Sequence, residues 1–279
     1  MTIELTDLHY RYRRSAADAI DGITATIGPG IHLLLGENGA GKTTLLHLID
    51  GLLFPTSGQC TADGGPTRLR LPSVTSRVAF LGAGMPLPAL TIREMTRIHA
   101  PFYPRFSAEM LAENLAAFGI GIDQKLSAMS MGTKQKAAVA YMLALRTEIL
   151  LLDEPATGLD IASKQALQKM IARCVDPDQT VIVSTHNIAD LEYLYDGVTV
   201  IRHGRLLLSA ATDAILSRIR FVSSPVPPAE ALYCESGMGG FRAIVPNADG
   251  ADSAMDYRLL YSALHKSELL TKYLSHELR

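Results

Sequence analysis

This chain of 279 residues predicts an α/β fold with a parallel central sheet, on three observations. First, the runs Ile31-His32-Leu33-Leu34-Leu35, Ile149-Leu150-Leu151-Leu152 and Thr180-Val181-Ile182-Val183-Ser184 are apolar almost throughout, as strands buried on both faces must be. Second, each run stops at glycine or polar residues: Gly36, then Asp153-Glu154, then Thr185-His186-Asn187. The carboxyl edge of parallel strands is where such sheets place ligands. Third, Leu90 to Leu126 keeps a helical period, with Ile92, Met95 and Ile98 three apart, so a helical unit is inserted between strands.

Taken in order, Ile3, Leu5, Tyr10 and Tyr12 stand among polar residues and read as one strand of an antiparallel pair with Ile23 to Ile27, joined by the charged turn Arg13 to Asp18. Gly28-Pro29-Gly30 turns the chain into the first buried strand, and Leu45-Leu46-His47-Leu48-Ile49 reads as the helix that follows it. Turn chemistry at Pro55 to Gly58 and Gly64 to Pro66 precedes a strand at Val78 to Leu81. The helical subdomain, about residues 90–147, breaks at Pro101 to Pro104 and resumes through Met110, Leu111, Leu115 and Phe118. Ser130 is placed to cap a helix running to about Leu145. Pro155 to Asp160 is a loop into a helix with Ile161, Leu167, Met170 and Ile171, ended before Pro177.

Past Ser209, Arg220 to Val222, Ala231 to Tyr233 and Phe241 to Val245 read as short strands, and Tyr257 to Leu278 as one amphipathic helix with Leu260, Leu264, Leu274 and Leu278 on a face. The expected division is 1–211 and a small α+β appendage, 212–279.

The net charge is −2, with both signs mixed along the chain, so no electrostatic footprint for nucleic acid stands out. Apolar stretches such as Ala137 to Leu145 are too short to span a bilayer, and Met1-Thr2-Ile3-Glu4 shows no secretory signal. A cytoplasmic protein is expected. Cys60, Cys174 and Cys234 are few and far apart, which suits reduced thiols.

The strongest chemical signal is Gly36-Glu37-Asn38-Gly39-Ala40-Gly41-Lys42-Thr43-Thr44 between strand and helix. Glycines let successive N–H groups point into one concavity, and the helix adds its positive end, so the segment is a phosphate nest of the P-loop type. Lys42 would reach the β- and γ-phosphates, and the Thr43 hydroxyl would take a position on Mg²⁺. Asp153 at its strand end would hold the same Mg²⁺ through water, and Glu154, aimed the other way, would polarise an attacking water. His186 at the end of another strand is placed to bond a γ-phosphate. Ser130 and Gly132 at a helix start form a second potential anion site. Tyr12 reads equally as a core tyrosine or as a ring stacked on a nucleotide base.

With these segments in this order, residues 3–209 resemble the ABC-type ATPases, the nucleotide-binding subunits of ABC transporters. In that family's terms Gly36 to Thr44 is Walker A, Ser130-Met131-Gly132-Thr133 the signature, Ile149 to Glu154 Walker B with its catalytic glutamate, and Pro155 to Asp160 the D-loop. His186 is similar to the switch histidine and Tyr12 to the A-loop aromatic. The resemblance implies a P-loop NTPase core, ATP and Mg²⁺ as ligands, and a head-to-tail dimer in which Ser130 and Gly132 of one subunit contact the γ-phosphate held by the other. It also implies a separate transmembrane permease docking near residues 84–106, and peripheral attachment to the inner face of the membrane. The pairing is with a second copy or a related ATPase.

Two departures stand out. The signature reads Met129-Ser130-Met131-Gly132-Thr133, keeping the serine and glycine. Where the family has a glutamine after the strand Val78 to Leu81, Ala83 stands, and a methyl neither ligates a metal nor orients water. Phe102 to Phe106 and Lys134-Gln135-Lys136 resemble the ABC-2 exporter type, so export is the expected direction. Other readings are a soluble ABC ATPase acting on ribosomes, DNA or cofactor assembly, and a slow-turnover ATP-binding regulator suggested by Ala83. Against the first stand a single motif set, no long coiled-coil insertion and no basic excess.

Overall fold

The computed structural model describes residues 1–186, 195–237 and 239–277, with side chains up to residue 274. Asn187 and Leu278, both named above, lie outside the described residues. The chain opens with β1 (Ile3–Tyr10), β2 (Ile20–Ile27), β3 (Gly30–Leu35) and α1 (Lys42–Asp50), then β4 (Ser57–Ala62), β5 (Gly65–Pro66), α2 (Pro72–Thr75) and β6 (Val78–Leu81). The helical stretch comprises α3 (Ile92–His99), α4 (Ala108–Ala117) and α5 (Met131–Ala144), followed by β7 (Ile149–Asp153), α6 (Ile161–Cys174) and β8 (Thr180–Thr185). The remainder holds β9 (Gly197–Arg202), β10 (Arg205–Ala211), α7 (Thr212–Leu216), β11 (Ile219–Ser224), β12 (Tyr233–Gly237), β13 (Gly240–Pro246), α8 (Tyr257–Lys266) and α9 (Glu268–Glu277).

Among the described residues the central sheet runs β10-β9-β3-β8-β7-β6, parallel except for β10 at one edge. Its strands follow the period of two that a pleated sheet imposes. Leu34, Leu151 and Ile182 point to one face and join Ile3, Leu5, Ile23, Leu45 and Ile49, from the antiparallel sheet β2-β1-β4-β5 and from α1. Leu33, Leu35, Leu150, Leu152, Val181 and Val183 point to the other face, where α4, α5 and α6 cover them. That second cluster continues without a gap into Ile219, Ile244, Tyr257, Leu260 and Leu270 of the C-terminal segments.

Register is what assembles the site. Leu35 lies opposite Thr185, and Asp153 opposite Ser184, so the carboxyl ends of β3, β7 and β8 finish level with one another. The helical stretch is as expected: Thr91 and Glu94 form a capping box on α3, and Ser107 and Ser130 cap α4 and α5 through the backbone N–H groups of Met110 and Thr133.

Two C-terminal expectations are corrected. The middle strand starts at Tyr233 and not at Ala231, because the Ala231 N–H closes a turn onto the Pro228 carbonyl at 3.2 Å and pairing with Ile244 begins at Tyr233. The single helix is two: Ser267 takes an extended conformation, its Oγ accepts from the Leu270 N–H at 3.2 Å and donates to the Leu232 carbonyl at 2.9 Å. A serine that caps a new helix start ends the old one. Among the described residues no helix is long and apolar enough to cross a membrane, and Cys60, Cys174 and Cys234 are free thiols.

Candidate functional site

A cleft of about 500 Å³ opens at the carboxyl edge of the central sheet, lined by Tyr12, Ser15, Ala17, Asp18, Ala19, Glu37, Asn38, Gly39, Gly41, Lys42, Thr43, Thr44, Ala83, Asp153 and Glu154. Its floor is the turn between β3 and α1. Gly41 has φ +110°, and a Cβ there would stand 2.5 Å from the Ala19 carbonyl oxygen; at Gly36 one would stand 2.6 Å from that of Ile201. Only glycine tolerates both the conformation and the approach. Ala40 is buried behind the loop, its N–H bonded to the Glu37 carbonyl at 3.0 Å and its carbonyl to the Gly204 N–H at 2.9 Å.

Lys42 is the first residue of α1, and its ammonium donates to the carbonyls of Gly36 at 2.7 Å and Glu37 at 3.2 Å. Burial pulls its pKa down, while the carboxylates of Glu154 and Asp153 push it back up. One turn of loop thus holds a cation beside the start of a helix, whose first N–H groups have no intrahelical partner, a receptor for an anion.

The Thr43 hydroxyl donates to Asp153 Oδ2 at 2.7 Å, and the Ser184 hydroxyl donates to Asp153 Oδ1. Asp153 is 2% exposed. A hydroxyl and a buried carboxylate in contact at the mouth of a phosphate nest are hard oxygen donors, the set that suits Mg²⁺. Glu154 holds φ +52°, uncommon for a residue with a side chain. The conformation is secured by its N–H, which donates to the Ser184 carbonyl at 3.1 Å and to the Ser184 hydroxyl at 3.2 Å. Its carboxylate meets His186 Nδ1 at 2.7 Å and Thr157 Oγ1 at 3.3 Å. Glutamate and histidine are therefore in contact, with the half-exposed His186 at the cleft's edge.

Tyr12 is resolved in favour of the surface: it is 44% exposed, lines the cleft and bonds Thr44 Oγ1 at 3.0 Å, while Tyr10 buttresses it edge-on at 4.9 Å. Ser130 and Gly132 are not brought to this cleft. They start α5, where Ser130 Oγ accepts from the Thr133 N–H at 3.2 Å, and Gly132 lies against Leu159 and Gly158. Gln135 in the same helix donates to the Pro155 carbonyl at 3.1 Å, joining α5 to the loop after Glu154. Ala83 does line the cleft, with its methyl.

Three contributors escaped the sequence reading. Ser184, which holds both carboxylate residues, was legible only as a hydroxyl at the end of an apolar strand. Ser15 and Asp18 lie in a segment that reads merely as a turn; Arg11 donates to Asp18 at 2.6 Å and holds its carboxyl below the usual range. A second cavity of about 420 Å³, apolar, lies between the end of β6 and the helical subdomain, walled by Phe80, Met85, Leu87, Met95, Ile98 and Tyr103.

Residues 20–157 match the ABC transporter family. The ABC transporter ATP-binding protein NatA of Bacillus subtilis (strain 168) is 31% identical over 223 residues, covering 76% of this chain and 91% of NatA. The cobalt import ATP-binding protein CbiO of Rhodobacter capsulatus is 35% identical over 210 residues, covering 71% of this chain and 75% of CbiO. The solved structure of an ATP-binding subunit of an ABC transporter superposes with a TM-score of 0.69 at 25% identity, over 77% of this chain and 92% of that one. With this family match and these relatives, the chain belongs to the ATP-binding subunits of the ABC transporter family.

Proposed function

We propose that this subunit closes head-to-tail on a second copy or a related ATPase around two ATP molecules, and that the cycle drives export through a permease carried on a separate chain. The observation that carries the reading is the convergence of Lys42, the Thr43–Asp153 pair and the Glu154–His186 pair on one cleft, with the exposed Ser130 and the half-buried Gly132 lying elsewhere as the surface proposed to complete a partner's cleft.

In this reading Tyr12 stacks on the base; Gly36, Glu37, Asn38, Gly39, Ala40, Gly41 and Thr44 frame the phosphates, and Lys42 turns its ammonium from the loop carbonyls to the β- and γ-oxygens. Thr43 and Asp153 are the residues that would hold Mg²⁺, which would neutralise charge on those oxygens. Glu154 takes the proton of the attacking water as its oxygen bonds to the γ-phosphorus and the bond to the bridging oxygen breaks, releasing ADP and phosphate. His186 orients Glu154 and donates to the γ-phosphate. Ser130 and the N–H of Gly132, at the positive end of the partner's α5, stabilise the charge that develops. Ala83 supplies no polar group there, which favours slow turnover.

The apolar cavity beside α3 is the proposed seat of a cytoplasmic permease helix, so the subunit works peripherally on the inner face of the membrane and without nucleic acid. The division into residues 1–211 and an appendage 212–279 belongs to the same proposal. The test is a tagged pull-down from detergent-solubilised membranes of the native host, with mass spectrometry of what co-purifies. A multi-span partner is the expected result. Recovery from the soluble fraction with ribosomal or DNA-associated proteins would overturn the transporter reading.

A further inference from the structure

The nucleotide cleft and the apolar groove are adjacent, and the chain segment joining them is Gly82-Ala83-Gly84. Ala83 faces the cleft, Phe80 and Met85 face the groove. As a mechanical link this segment is poor: two of its three residues are glycines, Gly84 takes φ +65°, and the Ala83 side chain has no polar atom to bond with either side.

A stiffer connection is α1. Its first residue is Lys42 at the phosphate nest, and at nine residues it spans roughly 14 Å for about 1.5 Å rise per residue. Its far half touches the β6 wall of the groove. His47 packs edge-on against Phe80, ring centroids 4.9 Å apart and planes at 78°, and Phe80 is part of the groove's wall on the β6 side. On the opposite wall the Tyr103 phenol is held above its usual pKa, by burial first and then by the Asp50 carboxylate at the end of α1. Tyr103 in turn stacks on His99, whose Nδ1 bonds the Tyr141 hydroxyl of α5 at 3.0 Å. Thus α1 starts at the phosphate nest and packs through His47 against the β6 wall of the groove.

We propose that α1 is the lever coupling the groove to the nucleotide cleft, and that the His47–Phe80 contact is its fulcrum. His47 and Phe80 are positioning residues: neither lines the cleft, and their effect reaches the phosphates through the helix. The inference rests on the cleft being an ATP site and uses the reciprocity of coupling, by which nucleotide binding must alter the groove as much as groove occupancy alters nucleotide binding.

Hydrogen–deuterium exchange followed by mass spectrometry tests this on the full chain, with Mg²⁺ and a non-hydrolysable ATP analogue, for wild type, His47→Ala, His47→Gln and Phe80→Leu. Analogue affinity is measured separately by calorimetry. Binding in the wild type should slow exchange across residues 85–103 by about five-fold, the low end of usual coupling factors. In the variants that change should fall below about two-fold while affinity stays within about three-fold of wild type. The Gln and Leu variants keep the site filled if the alanine fails to fold. Undiminished slowing in the variants, or no slowing in a wild type that binds the analogue, overturns the lever. Failure of the wild type to bind the analogue overturns the ATP site itself.

Discussion

Replacing Ser184 by alanine removes a hydroxyl that bonds the Asp153 carboxylate and the Glu154 backbone. Its hydroxyl donates to Asp153 Oδ1 and receives the Glu154 N–H at 3.2 Å. Removing it leaves Asp153, 2% exposed, with the Thr43 hydroxyl as the remaining donor named here, on Oδ2. A hydrogen bond to a charged group contributes about 1.5–3 kcal/mol, so Ser184→Ala should destabilise the fold by roughly 2 kcal/mol. At about 2–4 °C per kcal/mol for chains of this size, Tm should fall by about 4–8 °C in differential scanning calorimetry. The Glu154 N–H keeps the Ser184 carbonyl at 3.1 Å, so the backbone of Glu154 stays in place and its carboxylate is only loosened. Hydrolysis should therefore drop about ten-fold, the lower end for residues that orient a metal or catalytic ligand, with ATP affinity nearly kept. A Tm within about 1 °C of wild type together with an unchanged hydrolysis rate would refute the bracing role.

Further outcomes follow from the same geometry. Glu154→Gln should bind ATP, fail to hydrolyse it and accumulate a dimer in light scattering, whereas a monomer at saturating ATP and Mg²⁺ counts against the sandwich. Lys42→Ala should weaken ATP binding in titration calorimetry by at least about ten-fold, since it removes a charge-assisted bond worth roughly 1.5–3 kcal/mol; unchanged affinity would undo the phosphate-nest assignment. Burial pushes the Asp50 carboxyl up to about 7, with Arg70 opposing. Because the folded pKa exceeds the unfolded one, this group's stabilisation is full below about pH 4 and is lost as pH rises through 7. Asp50→Asn should then be more stable than wild type by about 1–2 kcal/mol at pH 8, a figure reduced because the carboxyl is only partly buried, and the gain should vanish by pH 4 in urea titrations.

Much of this was legible because strong local rules and the global fold agree. The wholly apolar strands could only be central, the glycines of residues 36–41 could only be a tight turn, and Ser130 had the chemistry of a cap. What periodicity could not show was partnership across sequence distance. Ser184 was one more hydroxyl until strand register put it opposite Asp153. The C-terminal helix looked continuous because Leu260, Leu264 and Leu274 keep a helical face, yet Ser267 finds a carbonyl to bond in the strand region and breaks it. Tyr12 was undecided because exposure at a strand end depends on what the neighbouring sheet leaves uncovered.

The apolar groove has a pharmacological consequence. A small molecule seated among Phe80, Met95, Ile98 and Tyr103 would not overlap the nucleotide cleft, so the mutual effect of the two ligands would level off at the coupling factor between the sites. Its inhibition would be allosteric, and its selectivity would depend on side chains outside the phosphate nest.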